Sequence, residues 1–147
     1  MRLVVQRTSG VEVVIDGKVL SRTGRGLLVL VGSRKGDNEK CSEWLADKVV
    51  NLRIFEDDDG KMNLSCLDVA GEIMIVSQFT LYADTRKGRR PAFTEAMEAT
   101  EAERLYNEFV RLVGASGLKV ATGKFGAKMD VRFDNDGPVT IILDYDI

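Results

Sequence analysis

The sequence FDNDGPVTIIL, residues 133–143, joins a turn to a strand-forming run near the end of the chain. Its second half is β-branched and apolar, which is typical of a strand that packs in a core. Pro138 stands at the entry of that strand, where it donates no ladder hydrogen bond. An X-Pro bond has only a small preference for trans, so the Gly137–Pro138 bond can be cis. Either geometry turns the carbonyl groups of Gly137 and Pro138 away from ordinary pairing, although a tight turn opening an edge strand is the simpler interpretation.

The chain has 147 residues, of which 44% are hydrophobic and 30% charged, as in an ordinary soluble domain. This length predicts one domain, residues 1–147, with one core. No stretch is apolar for long enough to cross a bilayer, and the N-terminus lacks a signal-peptide pattern. We therefore expect a cytoplasmic protein with no membrane partner, and the two cysteines fit reduced thiols. A net charge of −2 argues against a protein that coats DNA, so we expect no DNA partner.

The absence of histidine is the most restrictive feature of the composition. It removes the Ser-His and Cys-His relays, histidine metal sites and the usual general base near neutral pH. Two cysteines cannot form a four-cysteine zinc site, and the aspartates at 57–59 lack the remaining ligands of a calcium loop. We therefore predict neither a metal nor another cofactor.

Short strands separated by turn residues are predicted over most of the chain. The first strand breaks near Thr8–Gly10, and Asp16–Gly17 predicts a hairpin turn. Residues 27–31 are apolar on both faces, which predicts a central strand. A second hairpin has Asp59–Gly60 at its tip, so the acidic run is interpreted as a solvated turn.

Two segments have helical periodicity. The first follows Asp37, the expected N-cap, and places Trp44 on the face that packs against the sheet. The second begins with a capping box formed by Thr100 and Glu103. Many hairpin-linked strands and two separate helices predict an α+β fold with mostly antiparallel sheets.

Two segments are candidate functional sites. EIMIVSQFTL, residues 72–81, predicts a buried strand that becomes polar at Ser77, which marks either a site or an ordinary strand end. YADTRKGRRP, residues 82–91, predicts either a solvated loop or a phosphate-binding loop. Its four basic side chains are Arg86, Lys87, Arg89 and Arg90.

Two further patterns resemble one known family. SQFTL at 77–81 and NDGPVT at 135–140 are similar to the two signature motifs of the D-aminoacyl-tRNA deacylases. The similarity continues at matching spacing through residues 5–7, 26–32, 51–55, 60–65, 82–91 and 125–127. It implies the deacylase fold, with sheets that form a barrel-like core and two main helices. It also implies a homodimeric hydrolase that releases D-amino acid and tRNA from D-aminoacyl-tRNA, and that removes glycine wrongly attached to tRNA(Ala).

The resemblance also assigns roles to residues. It implies a cis bond at Gly137–Pro138, which each subunit inserts into the pocket of its partner as a chirality filter. The residues that line the scissile ester would be Ser77, Gln78, Phe79 and Thr80. Arg7 would brace the Gly-Pro element. The part of the pocket that holds the terminal adenosine and the aminoacyl group would include Ala102, Phe125 and Met129.

The chemistry agrees with the composition. Ester hydrolysis passes through an oxyanion, which backbone N–H groups near Phe79 and Thr80 can stabilise without histidine. Thr80 has no evident activating base, so we favour attack by water, assisted by the neighbouring ribose hydroxyl of the substrate. The Gly137 and Pro138 carbonyls would accept the substrate ammonium and exclude the L-form by clash.

The basic loop would contact tRNA phosphates. Two alternatives remain at this point: a non-catalytic dimeric nucleic-acid-binding protein, and a small-molecule hydrolase without an RNA partner.

Overall fold

The computed structural model describes residues 1–146, which form ten strands, two α-helices and one 3-10 turn at Phe79–Tyr82. The strands in chain order are β1 (Arg2–Thr8), β2 (Val11–Ile15), β3 (Lys18–Thr23), β4 (Gly26–Gly32), β5 (Phe55–Glu56), β6 (Met62–Leu64), β7 (Glu72–Ser77), β8 (Lys119–Thr122), β9 (Asp130–Phe133) and β10 (Thr140–Asp144). The helices are α1 (Glu39–Asn51) and α2 (Ala99–Gly114).

The strands form three sheets. The largest has the order β10-β1-β4-β7-β8, the second has the order β3-β2-β9, and β5 and β6 make a hairpin. Strand β1 pairs antiparallel with β10 and β4, whereas β4-β7 and β7-β8 are parallel. The predicted α+β class is confirmed, and antiparallel pairs outnumber parallel ones.

The predicted barrel-like core is wrong. Within residues 1–146 no sheet closes, because β10 and β8 lie at opposite edges of the largest sheet and pair with no strand on their outer sides. Closure would need these two edge strands to pair with each other. The core therefore lies between layers instead of inside a barrel.

Strand β4 is buried on both faces, as its apolar run predicts. Leu27 and Val29 belong to the cluster that contains the apolar faces of α1 and α2. Leu28 points the other way, into a cluster with Val11 and Val13 of β2. Because side chains alternate along a strand, β4 separates a helical layer from a second sheet. This arrangement fixes the end of β4, where the candidate site lies.

Two details of α1 differ from the prediction. The N-cap is Asn38, whose side chain accepts a hydrogen bond from Lys40 N at 3.0 Å. Asp37 is engaged elsewhere, since its carboxylate contacts the Met1 ammonium at 2.6 Å. Trp44 is 43% exposed and packs against the ring of Tyr145, so it lies outside the core.

The start of α2 also differs. Glu98 is the N-cap and accepts a hydrogen bond from Thr100 N at 3.0 Å, so the predicted capping box of Thr100 and Glu103 is wrong. The helix begins earlier because the Glu98 carboxylate, instead of the Thr100 hydroxyl, accepts from the free N–H groups of the first turn. The helical periodicity of this segment is confirmed, since Leu105 and Phe109 are buried on one face of the helix.

Candidate active site

A cavity of about 610 Å³ opens at the carboxyl ends of the parallel strands β4 and β7. It gathers six of the residues that the sequence singles out, which come from β7, α2 and the loop before β9: Ser77, Gln78, Phe79, Ala102, Phe125 and Met129. These residues are far apart in the sequence and meet because β8, which leads into the loop before β9, pairs with β7, and because α2 packs against the same sheet. Their proximity is a finding, whereas their individual roles stay predictions.

The remaining walls are mainly apolar, and sequence reasoning missed them. Val31, Met97 and Tyr106 contribute to the lining. The Tyr106 hydroxyl donates to the Ile75 carbonyl at 2.8 Å, and burial raises the pKa of Tyr106. Tyr106 therefore stays protonated and ties α2 to β7. A hydroxyl on the apolar face of a helix is the sequence signal that points to this role.

The 3-10 turn carries free backbone donors. Gln78 N donates to Val31 O at 2.7 Å, which fixes the turn on the end of β4. Within the described chain, the N–H groups of Phe79 and Thr80 have no hydrogen-bond acceptor. Because the first N–H groups of a helical turn lack internal partners, they are available to an anionic oxygen.

Thr80 does not line the cavity. Its hydroxyl accepts a hydrogen bond from the Gln78 side-chain amide. An amide is not a base, so nothing in this contact activates Thr80 as a nucleophile.

The basic loop adjoins the cavity through Phe79. The Phe79 side chain is 56% exposed and meets Phe93 edge-on, with 5.0 Å between ring centroids. Asp84 and Ala92, beside Phe93, exchange backbone hydrogen bonds of 2.7 and 2.9 Å that close the loop. Residues 85–91 therefore emerge next to the cavity mouth.

One cation of the basic loop is already paired. Arg86 contacts the Asp84 carboxylate at 2.9 and 2.8 Å, which lowers the pKa of Asp84 and raises that of Arg86. Lys87, Arg89 and Arg90 are exposed and have no ion-pair partner among residues 1–146. These three side chains carry the positive charge that the loop can offer to a ligand.

Gly137 and Pro138 lie on an exposed loop between β9 and β10, joined by a cis peptide bond. Gly137 has φ of 128°, and a Cβ there would lie 2.7 Å from Val139 Cγ2 and 3.2 Å from Arg7 Nη2. A side chain at position 137 would therefore strain the loop. Asn135 stabilises the loop across its two ends, since its side-chain Oδ1 accepts a hydrogen bond from the backbone N–H of Val139 at 3.0 Å.

Arg7 is the buried support of this loop. The residue is 6% exposed. Its Nη1 donates to Ile54 O at 2.8 Å, and its Nε donates to Asp136 O at 3.2 Å. The Asp136 carboxylate lies 3.2 Å from the same Nε. The guanidinium thus links the loop to the start of the β5-β6 hairpin.

A single chain keeps the Gly-Pro loop and the cavity apart. Arg7 pairs with Leu27 at the beginning of β4, whereas Ser33 follows the end of that strand and lines the cavity. Ser33 is six residue steps further along the chain than Leu27, which at about 3.3 Å per step in a strand is roughly 20 Å. Neither Gly137 nor Pro138 lines the cavity.

Neither a cluster of metal-binding side chains nor a membrane-spanning helix is found in the part of the chain that the structure describes. No three metal-binding side chains come together there. None of its helices is both long and apolar enough to span a membrane.

Fold and cavity together define a small α+β protein with a mainly apolar cavity, main-chain N–H groups on the adjoining 3-10 turn that are unpaired within residues 1–146, and no histidine in its sequence. The family model described as D-Tyr-tRNA(Tyr) deacylase matches residues 4–144, and the chain belongs to that family. D-aminoacyl-tRNA deacylases of Thermotoga petrophila and Clostridium botulinum are 58% and 56% identical over 144 residues, covering 98% of this chain and 97% of each relative.

Two solved structures have the same fold. A c-Myc DNA unwinding element binding protein is 42% identical, with a TM-score of 0.93 over the full length of both chains. A probable eukaryotic D-amino acid tRNA deacylase is 20% identical, with a TM-score of 0.84 over 98% of both chains. At that identity the second structure supports the fold alone.

Proposed function

We propose that this protein hydrolyses the ester bond of D-aminoacyl-tRNA and releases the free D-amino acid and tRNA. The observation that carries this proposal is the cavity that joins Ser77–Phe79 to Ala102, Phe125 and Met129 in a chain of the deacylase family. Its apolar walls suit a terminal adenosine with its aminoacyl group.

The proposed chemistry uses backbone donors. The free N–H groups of Phe79 and Thr80 stabilise the oxyanion, and each such donor typically lowers the barrier by about 3 kcal/mol. Water attacks the ester, assisted by the neighbouring ribose hydroxyl of the substrate. Ser77 and Gln78 position the ester, and Thr80 contributes its main chain only.

The chirality filter comes from a second copy of the chain. The separation of roughly 20 Å between the Gly-Pro loop and the cavity supports this step, because one chain cannot combine them. In the homodimer, the carbonyl oxygens of Gly137 and Pro138 accept hydrogen bonds from the substrate ammonium group inside the partner's cavity. The Cβ of an L-amino acid then clashes with the carbonyl wall. Glycine has no Cβ, so glycine wrongly attached to tRNA(Ala) is also removed.

The tRNA acceptor end lies along the basic loop. Lys87, Arg89 and Arg90 supply sequence-tolerant phosphate contacts, while Arg86 is largely neutralised by Asp84. Cys41 and Cys66 are both free and buried, which supports a reducing, cytoplasmic location.

A second candidate function is supported by one comparison. The relative of known structure that is 42% identical is named for binding a DNA unwinding element. The corresponding function here is non-catalytic nucleic-acid binding by a dimer, with the same basic loop as the contact surface.

One assay separates these functions. The protein is incubated with D-tyrosyl-tRNA, L-tyrosyl-tRNA and D-tyrosine methyl ester, and release of tyrosine is followed for each. The deacylase cleaves only the first substrate. Binding of the tRNA without release favours the nucleic-acid-binding protein, and cleavage of the methyl ester favours a small-molecule hydrolase.

A further inference from the structure

Ser33 places a fixed hydroxyl-bearing residue in the wall of the cavity. It follows Gly32, the last residue of β4, and an added Cβ at Gly32 would lie 3.0 Å from Gln78 O. This close approach packs the 3-10 turn onto one side of the chain. The Ser33 carbonyl accepts from Met97 N at 3.1 Å, and Lys35 N donates to Glu95 O at 3.0 Å. The backbone around Ser33 is thus held between the 3-10 turn on one side and residues 95–97 on the other.

The Ser33 hydroxyl has no protein partner. The residue is 7% exposed and lines the cavity, yet no group among residues 1–146 hydrogen-bonds its Oγ. Within that range Thr23 Oγ1 is the one side-chain atom both sealed from solvent and unpartnered, so Ser33 Oγ retains an opening. The opening lets solvent reach this hydroxyl in the free protein. A ligand that fills the cavity displaces that solvent, so it must supply a hydrogen bond to Ser33 Oγ or leave the hydroxyl unsatisfied.

We propose that Ser33 is a substrate-binding residue whose hydroxyl hydrogen-bonds the base of the terminal adenosine; this inference rests on the proposed function. The Ser33 carbonyl accepts a backbone hydrogen bond from Met97, and both residues line the cavity together with Ala102 at the start of α2. The ester is held at the N–H groups of Phe79 and Thr80, on the turn that packs against Gly32. A nucleoside that extends from there toward Met97 and Ala102 passes the Ser33 hydroxyl.

The chemistry of the substrate also favours the base. A fixed hydroxyl fits a group that is identical in every substrate, and adenine presents ring-nitrogen acceptors and an amino donor in one plane. The amino-acid side chain differs between substrates, so a hydroxyl that contacted it would oppose broad tolerance. Ser33 consequently adds affinity for the nucleoside without selecting the amino acid.

The test compares Ser33→Ala with the parent enzyme on D-tyrosyl-tRNA carrying different terminal nucleosides. The nucleosides are adenosine, 1-deaza-, 3-deaza- and 7-deazaadenosine, and purine riboside, which lacks the amino group. On adenosine we expect KM to rise roughly three- to tenfold, the size of one neutral hydrogen bond, with kcat within about twofold. On the analogue that lacks the bonded atom, parent and variant should have equal KM.

Ser33→Thr is the matched variant, because it keeps the hydroxyl and should keep the KM of the parent. Equal KM for parent and Ser33→Ala on adenosine overturns the inference, as does a loss of the same size on every analogue. A KM effect that changes with the D-amino acid overturns it as well. A parent enzyme that cleaves none of these substrates overturns the proposed function too, whereas an active parent with an indifferent variant overturns this inference alone.

Discussion

Replacing Arg7 by methionine tests how the Gly-Pro loop is supported. Methionine preserves most of the buried stem but removes the guanidinium, which donates to Ile54 O at 2.8 Å and to Asp136 O at 3.2 Å. Asp136 is exposed, so water can replace the hydrogen bonds that it loses with the guanidinium. The Ile54 carbonyl is buried with Arg7, so it loses its partner without compensation.

The magnitude follows from these contacts. An unsatisfied buried acceptor costs about 1–3 kcal/mol, and hydrogen bonds from a charged donor contribute more than neutral ones. We therefore expect Arg7→Met to lower the free energy of unfolding by about 2–4 kcal/mol. Because the loop is anchored through Asp136, we also expect weaker discrimination between D- and L-tyrosyl-tRNA.

The assay combines urea denaturation with deacylation of both tRNA substrates. The control is Arg22→Met, which removes an exposed ion pair to Glu12 at 2.8 Å and should cost at most about 1 kcal/mol. Equal stability losses for the two variants would refute the role of the buried guanidinium. A destabilised Arg7→Met enzyme that discriminates as well as the parent would refute the link between Arg7 and the chirality filter.

Three further predictions concern the cavity and the loop. Thr80→Ala should lose less than about tenfold in kcat, because the account uses only its backbone; complete loss, with an acyl-enzyme trapped in the parent, would contradict this. Tyr106→Phe should lower Tm by about 3 °C through loss of about 1 kcal/mol, which thermal denaturation measures. Since burial raises the pKa of Tyr106, its contribution should persist below about pH 10 and fall at higher pH, and Tyr106→Phe should weaken that fall. Replacing Lys87 and Arg89 by alanine should make the slope of log K for tRNA binding against log salt concentration shallower by roughly 0.7 per charge removed. Arg86→Ala should change this slope less. A double variant with the same slope as the parent protein would mean that the loop is only solvated.

Local patterns predicted the elements well where one interaction dominates. The Asp16–Gly17 turn and the doubly buried strand at 27–31 follow from backbone conformation and periodicity, and both are confirmed. The cap predicted at Asp37 was wrong because the Asp37 carboxylate pairs with the Met1 ammonium. The cap predicted at Thr100 was wrong because Glu98 accepts the hydrogen bond from the first N–H group instead. Trp44 was wrong because helical spacing does not say where the sheet ends beneath the helix.

The candidate site was predictable only in part. Ser77 and Gln78 were recognisable as the polar end of a buried strand, and Phe79 through the family resemblance, whereas the cavity itself depends on parallel pairing between β4 and β7. Such pairing brings residues more than forty positions apart into contact, and periodicity along one strand does not encode it. Ser33 was missed for this reason. Tyr106 was missed because the packing of α2 on β7 is a second long-range contact, and the pairing of Arg86 with Asp84 needed side-chain geometry.

The central claim is that main-chain groups of Gly137 and Pro138 complete the cavity of another copy of the chain. A mixed dimer tests it directly. Ala102→Trp fills the cavity of one chain, and Gly137→Ala with Pro138→Ala disables the loop of the other; the two chains are co-expressed with different affinity tags and purified together. Each variant alone should fail to cleave D-tyrosyl-tRNA selectively, whereas the mixed dimer has one intact cavity facing one intact loop and should recover about half of the parental D-selective rate. A mixed dimer that is as inactive as each variant alone would contradict this claim.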